Sequence, residues 1–84
     1  MGDLIERMIR AIHQLFEEFG VHVREDRVLR YVAGELDKGR RFDEILADPY
    51  VVNNTDEQGR NRLLEKPETL QAVEEQLLSM RRPS

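Results

Sequence analysis

The segment Asp3-Leu4-Ile5-Glu6-Arg7-Met8-Ile9-Arg10-Ala11-Ile12-His13-Gln14-Leu15-Phe16-Glu17-Glu18-Phe19-Gly20 decides the fold class. Within it Ile5, Met8, Ile12, Leu15 and Phe19 recur in alternating steps of three and four. That spacing places them on one stripe of an α-helix. Leu4, Ile9 and Phe16 widen the stripe beyond a two-position seam. Asp3 suits an N-cap and Gly20 a left-handed stop, so the pattern predicts a helix over residues 3–19. A stripe this wide is either the core side of a helical bundle or a seam shared with a second copy of the chain.

Outward from this helix, Val21-His22-Val23 reads as a connection, and His13 and His22 as surface histidines. A second helix is expected over residues 25–38, ending at Gly39, with Val28, Leu29, Val32 and Leu36 on its apolar face. At about 100° per residue, Arg24, Arg27, Arg30 and Lys38 fall on the opposite side. Arg40 and Arg41 follow directly. This positive surface has two readings. It is a solvated face balanced by Asp26, Glu35 and Asp37, or a contact for an acidic protein or a phosphate backbone.

Phe42 to Ala47 predicts a short third helix, stopped at Asp48-Pro49 because the residue before proline is driven out of the α region. Tyr50-Val51-Val52 reads as an apolar loop tucked against the bundle, and Asn53-Asn54 as a break. Thr55 with Gln58 matches a capping box that opens a fourth helix. Leu63 and Leu64 are its expected buried residues, and Gly59 is expected to weaken it. Pro67 suits the first position of a fifth helix carrying Leu70, Val73, Leu77 and Met80. Arg81-Arg82-Pro83-Ser84 reads as a frayed tail. The expected fold is all-α: one small bundle of about five helices over residues 1–84, two longer at the N-terminal side and shorter ones joined at Pro49 and Pro67. Its expected core is Ile5, Met8, Ile12, Leu15, Phe19, Val28, Val32, Leu36, Ile45, Leu46, Leu63, Leu64, Leu70, Val73 and Leu77.

The 84 residues leave room for one core and contain no cysteine, which excludes disulfides, thiol nucleophiles and cysteine-based metal sites. No apolar run approaches the roughly 18–20 residues that span a bilayer. Met1-Gly2-Asp3 and the charged residues after it do not form a signal peptide. The expected location is cytoplasmic, with no membrane partner. The net charge is −4, and residues 43–84 carry all of it, with nine acids against five bases. That balance argues against nucleic acid as the main partner.

Catalytic signals are absent from the sequence. The serines are Ser79 and Ser84, the two histidines lie far from i, i+4 spacing, and no phosphate-loop, dinucleotide or zinc-protease motif occurs. The pairs Glu17-Glu18 and Glu74-Glu75 are adjacent on helices and do not face each other. No enzyme, metal or cofactor is expected.

Two stretches carry family resemblances. Ile45-Leu46-Ala47-Asp48-Pro49 followed by Val52 echoes Leu63-Leu64-Glu65-Lys66-Pro67 followed by Leu70, at an offset of 18 residues. The pattern resembles the tandem Asp-Pro helical modules of Hsp-organising co-chaperones and ubiquitin shuttle factors, whose short helices cup an apolar client segment. The second copy departs from that family at Lys66-Pro67. The stretch Leu36 to Leu46, in which Gly39 is followed by Glu44 and Ile45, resembles the front of a response-regulator-type helix-turn-helix. That resemblance implies a recognition helix starting near Thr55, with Arg60, Asn61 and Arg62 as base readers. Pro49 stands where that motif has a buried leucine, and Asp56-Glu57 would repel a phosphate backbone.

The sequence reading is therefore a non-catalytic interaction or regulatory module, a small adaptor that binds another protein or itself through the first helix. Its expected contacts are Arg24, Arg27, Arg30, Lys38, Arg40, Arg41, Tyr50 and Val51. The alternative is a helix-turn-helix DNA-binding regulator.

Overall fold

The computed structural model describes residues 3–80; the expected Asp3 cap and the tail Arg81–Ser84 lie outside the described side chains and residues. Among the described residues the chain forms α1 (Asp3–Glu18), α2 (Asp26–Asp37), α3 (Phe42–Leu46), α4 (Pro49–Asn54), α5 (Glu57–Leu64) and α6 (Pro67–Ser79). The all-α class stands, with an isolated bridge between Val23 and Thr55 as the sole β-type pairing among these residues. No described helix is long and apolar enough to cross a membrane.

α1 and α2 form the main packed pair. Met8, Ile12, Val28, Val32 and Leu36 are fully buried, with Leu15 and Leu29 nearly so. Phe16, which only widened the stripe in the sequence, is 1 % exposed and with Phe42 is one of the two largest side chains of the buried core. Ile5 and Phe19, expected inside, are half-buried at the rim. The central stripe of α1 is thus occupied within the monomer, mainly against α2. α2 is the hub of the fold and also packs on α3, α4 and α6.

α6, with 13 residues, is longer than α2 with 12, so the later helices are not all the shorter ones. α1 and α2 both end as their glycines predict. Gly20 and Gly39 have φ of +70° and +101°, a region closed to most side chains. At each, the glycine N–H donates three residues back and the next N–H five residues back: Gly20 to Glu17 and Val21 to Phe16, Gly39 to Leu36 and Arg40 to Glu35. This is the Schellman arrangement, and it turns the chain sharply while satisfying carbonyls at the helix end.

The second half differs from the sequence reading in three main places, besides Val73, an expected core residue that is only half-buried. Residues 49–54 form a helix rather than a loop, which raises the helix count to six. Pro49 starts α4, and the Asp48 carboxylate accepts from the Tyr50 N–H at 2.9 Å. At the other end three side chains satisfy three carbonyls. Asn54 Nδ2 donates to Tyr50 O at 2.8 Å, Thr55 Oγ1 to Val51 O at 2.7 Å, and Arg60 to Val52 O at 3.1 Å. A helix this short makes few internal bonds, so caps at both ends hold it.

The second difference follows from the first. Thr55 closes α4 and does not open α5. The N-cap of α5 is Asp56, whose carboxylate accepts from the Gly59 N–H at 2.8 Å. Third, Leu64 is 38 % exposed while Leu63 is fully buried. The helix turns about 100° between neighbours, and only Leu63 faces the core. Val73 is half-buried; the other expected core residues of the second half, Ile45, Leu46, Leu70 and Leu77, are buried.

Gly59 has a role that its weak helix propensity conceals. A Cβ built on it would lie 2.6 Å from Val21 Cα and 2.7 Å from Gly20 O. α5 therefore lies directly against the backbone that ends α1. Asp56 also accepts from the His22 N–H, and Arg62 Nε donates to Phe19 O at 3.0 Å. α6 is tied in from the other side, where a Glu74 carboxylate oxygen accepts from the Phe42 N–H at 3.1 Å.

Candidate functional site

The positive residues singled out in the sequence separate into three groups. Arg40 and Lys38 are held by ion pairs. Arg40 reaches Glu35 at 2.8 Å and Asp48 at 3.1 Å, and Lys38 reaches the other Glu35 oxygen at 3.0 Å. Arg40 is a half-buried structural link between the end of α2 and the start of α4, not a free surface charge. Arg41 is exposed, pairs with Asp43 at 3.4 Å, and borders a groove of about 350 Å³ with Phe42, Leu64, Pro67 and Leu70. Arg24, Arg27 and Arg30 remain as exposed cations on the N-terminal part of α2 and just before it.

The two apolar candidates also separate. Val51 is fully buried in α4, which corrects its assignment as a partner contact. The helical turn that buries Val51 leaves its neighbour Tyr50 half-exposed at the surface. Tyr50 meets Tyr31 of α2 edge to face, with ring centroids 4.9 Å apart and planes at 74°. Tyr31 was not among the expected site residues. Arg27, Arg30, Tyr31 and Tyr50 line one shallow groove of about 440 Å³ between α2 and α4. Arg27, Arg30 and Tyr31 share this side because they are three and four residues apart on α2.

Asp48 fixes the floor of this groove. One carboxylate oxygen accepts from the Tyr31 hydroxyl at 2.7 Å, and the other accepts from the Tyr50 N–H. One side chain thus holds the ring of the first tyrosine and the backbone of the second. The bond from Tyr31, with that from Tyr50 and the nearby Arg40, holds the Asp48 carboxyl below the usual carboxylate range. The same bond to Asp48 pushes the Tyr31 phenol up, so the ring stays neutral. Arg40 and then Lys38 hold Glu35 below its ordinary value. Both acids behind the groove are therefore ionised and already matched by cations.

The rim is less compensated. Arg30 and Arg24 make no ion pair among the described residues. Arg27 pairs with Glu25 at 3.1 Å, with both side chains more than half exposed, and such a pair is weak in water. The groove thus has a fixed aromatic floor beside available guanidinium groups.

The helix-turn-helix residues are placed differently from what that resemblance implies. Arg60 is 8 % exposed, and its Nη1 atom reaches Val52 O, Thr55 O and Thr55 Oγ1. The Arg62 guanidinium is spent on the carbonyls of Phe19 and Gly20. Asn61 alone of the three is exposed without such a bond.

The sequence held one signal that finds this site. An aspartate directly before a proline is a favourable N-cap and first-position pair. Read that way, Asp48-Pro49 opens a helix as well as closing one, and Tyr50 lands on it. No family model, curated protein or solved structure gives a match to this chain.

Proposed function

We propose that the protein is a non-catalytic protein-interaction module that presents the α2–α4 groove to a partner. The observation that carries this reading is the pairing of a fixed tyrosine floor with Arg30, which makes no ion pair among the described residues. Surfaces that bind proteins are enriched in Tyr and Arg: Tyr gives a large contact face with only two side-chain torsions, and Arg a planar guanidinium with five donors. The contact set is Arg24, Arg27, Arg30, Tyr31 and Tyr50. Arg41 belongs to the neighbouring groove, and Lys38, Arg40 and Val51 serve the fold. Self-association through α1 would have to use its half-buried rim, Leu4, Ile5, Ile9 and Phe19, since Met8 and Ile12 are fully buried within the monomer. With no membrane step in this reading, the cytoplasm is the compartment in which such an adaptor would work.

The test is capture of partners from nuclease-treated lysate of the source cells. Wild-type protein is compared with the double variant Arg27→Glu, Arg30→Glu. The reading expects a specific protein band retained by the wild type and lost in the variant, with the helical circular dichroism unchanged. Retention that ignores the charge reversal, or that disappears with nuclease treatment, contradicts it.

A further inference from the structure

The interaction reading, on which this inference rests, leaves the partner's chemistry open, and the groove narrows it. We infer that the site takes an acidic linear peptide, which seats one apolar side chain on the Tyr31–Tyr50 pair and lays carboxylates against Arg27 and Arg30.

The floor favours an apolar side chain. Asp48 pins the Tyr31 ring through its hydroxyl and the Tyr50 backbone through its N–H, and the Tyr50 ring packs edge to face on Tyr31, so little order remains to be imposed on binding. The Tyr31 hydroxyl already donates to Asp48 and is not free to donate to a ligand. The groove is shallow and open. A small molecule generally needs a cleft that encloses most of its surface, whereas a chain segment can lie along a shallow one.

The rim favours negative charge. Arg27 and Arg30 line the groove, and Arg24 lies three residues before Arg27 in sequence. The acids nearest the floor do not offset them. Asp48 is matched by Arg40 and the Tyr31 hydroxyl, and Glu35 by Arg40 and Lys38. Glu25 is the acid that a ligand carboxylate must displace from Arg27. Arg24, Arg27 and Arg30 outnumber Glu25 and Asp26, the exposed acids of the same stretch, so the rim is positive on a chain whose net charge is −4. A basic peptide would be repelled at the rim by Arg27 and Arg30.

Two features disfavour a nucleic acid. Strong phosphate binding draws on many cations along a track, and two line this groove. Successive bases stack on parallel platforms, and these rings stand at 74° to each other. An acidic peptide uses the same two guanidinium groups one carboxylate at a time, with one apolar anchor between them.

The experiment uses the full chain and fluorescence anisotropy at low salt. The probe is a fluorescein-labelled peptide of mixed Glu and Asp residues around a central phenylalanine. Its comparators are the same peptide with glycine at the centre, the same peptide with lysines in place of the acids, and a labelled oligothymidylate. The account expects binding to the first probe in roughly the micromolar range, and at least about tenfold weaker binding to each comparator. Raising the salt should weaken the first complex as the Debye length shrinks. Arg30→Glu should weaken binding of the acidic peptide at least about tenfold and improve binding of the lysine peptide, a reversal that a misfolded variant does not give. Tyr50→Ala, checked for helical content, should remove the preference for phenylalanine over glycine.

Equal binding of the acidic and lysine peptides, oligothymidylate binding as tight as the acidic probe, or indifference to Arg30→Glu would overturn the inference. Absence of peptide binding while charge reversal still abolishes partner capture from lysate would sink the peptide assignment and leave the interaction reading standing. Capture that ignores charge reversal would sink the interaction reading itself.

Discussion

The α1–α2 pair and the segment from Asp48 to Leu63 are held by different physics. The first is an apolar seam of Met8, Ile12, Phe16, Val28, Val32 and Leu36, each at most 1 % exposed. The second buries Val51 and Leu63, and is otherwise set by side chains that bond to backbone: Asp48, Asn54, Thr55, Asp56, Arg60 and Arg62. One region repeats a period, and the other is a set of single, unrepeated bonds. The candidate groove lies where the two regions meet, with Tyr31 from α2 and Tyr50 from α4.

The largest effect expected is in the apolar seam. Ile12→Ala removes a fully buried side chain from α1 and should cost about 2–5 kcal/mol, a large part of the stability of a domain of this size. Urea denaturation followed by circular dichroism reads this directly. A loss below 1 kcal/mol, on the order of a surface substitution, would show that the seam is not what holds α1.

Gly59→Ala probes the other region. Helix propensity alone favours the alanine by about 1 kcal/mol. The added Cβ, however, would meet Val21 Cα and Gly20 O, which are backbone atoms that cannot swing aside. Overpacking of this kind should destabilise by about 1–3 kcal/mol. Thr55→Val then tests the α4–α5 corner. It deprives Val51 O of its donor and Arg60 of one acceptor, and should cost about 1–3 kcal/mol in the same assay. It should also loosen α4 and reduce the protection of Tyr50 from iodination or of its ring resonances from averaging.

Gly34→Ala is the smallest of the substitutions and has the opposite sign. Gly34 is in the interior of α2, and a Cβ there meets nothing within 4 Å. The gain should be about 0.5–1 kcal/mol. The gentlest probe is pH. Asp48, Glu35 and Asp56 all have folded-state pKa values below their ordinary ones, the first through Tyr31, the second through Arg40 and the third through the His22 N–H. Their contribution is complete above the unfolded carboxylate range of about 4 and is lost as pH falls through the lower folded values. The urea midpoint should therefore be flat near neutrality and decline below about pH 5. Asp48→Asn should make that decline shallower. An unchanged slope would show that the Asp48 bonds are not retained in solution.

The sequence made the first region legible and part of the second obscure, for one reason. Ile5 to Phe19 and Val28 to Leu36 announce their helices through spacing, and Gly20 and Gly39 announce the stops. α4 has no spacing to announce it: six residues are too few for a period, and Val51, Val52, Asn53 and Asn54 are poor helix formers. Its caps are Asp48 before it, and Thr55 and Arg60 after it. Arg60 is recognisable as a cap only once the chain has folded back. The same holds for Gly59, whose reason is a contact with Gly20 and Val21, nearly forty residues earlier. The basic side of α2 was visible in the sequence. Which of its cations are spent on Glu35 and Asp48, and which remain on the groove, depended on where Asp48 lands.

The corner at Pro67 shows the same limit. Pro49 and Pro67 both begin helices, so the backbone echo between residues 45–52 and 63–70 holds. The side chains do not repeat. Asp48 caps its helix and Lys66 does not, Leu46 is buried where Leu64 is exposed, and Val52 is exposed where Leu70 is buried. A repeated pattern in sequence thus predicted a repeated turn and not a repeated surface.

The central claim is that α5 is seated by direct contact with the end of α1, and that this seating holds α4 and Tyr50 in place beside Tyr31. The measurement that tests it most directly is the urea stability of Gly59→Ala against Gly34→Ala, two identical changes inside two helices. The account predicts opposite signs, with Gly34→Ala more stable than the wild type and Gly59→Ala less stable. Stabilisation by both would mean that α5 does not lie against Gly20 and Val21, and the placement of α4 and the groove would fall with it.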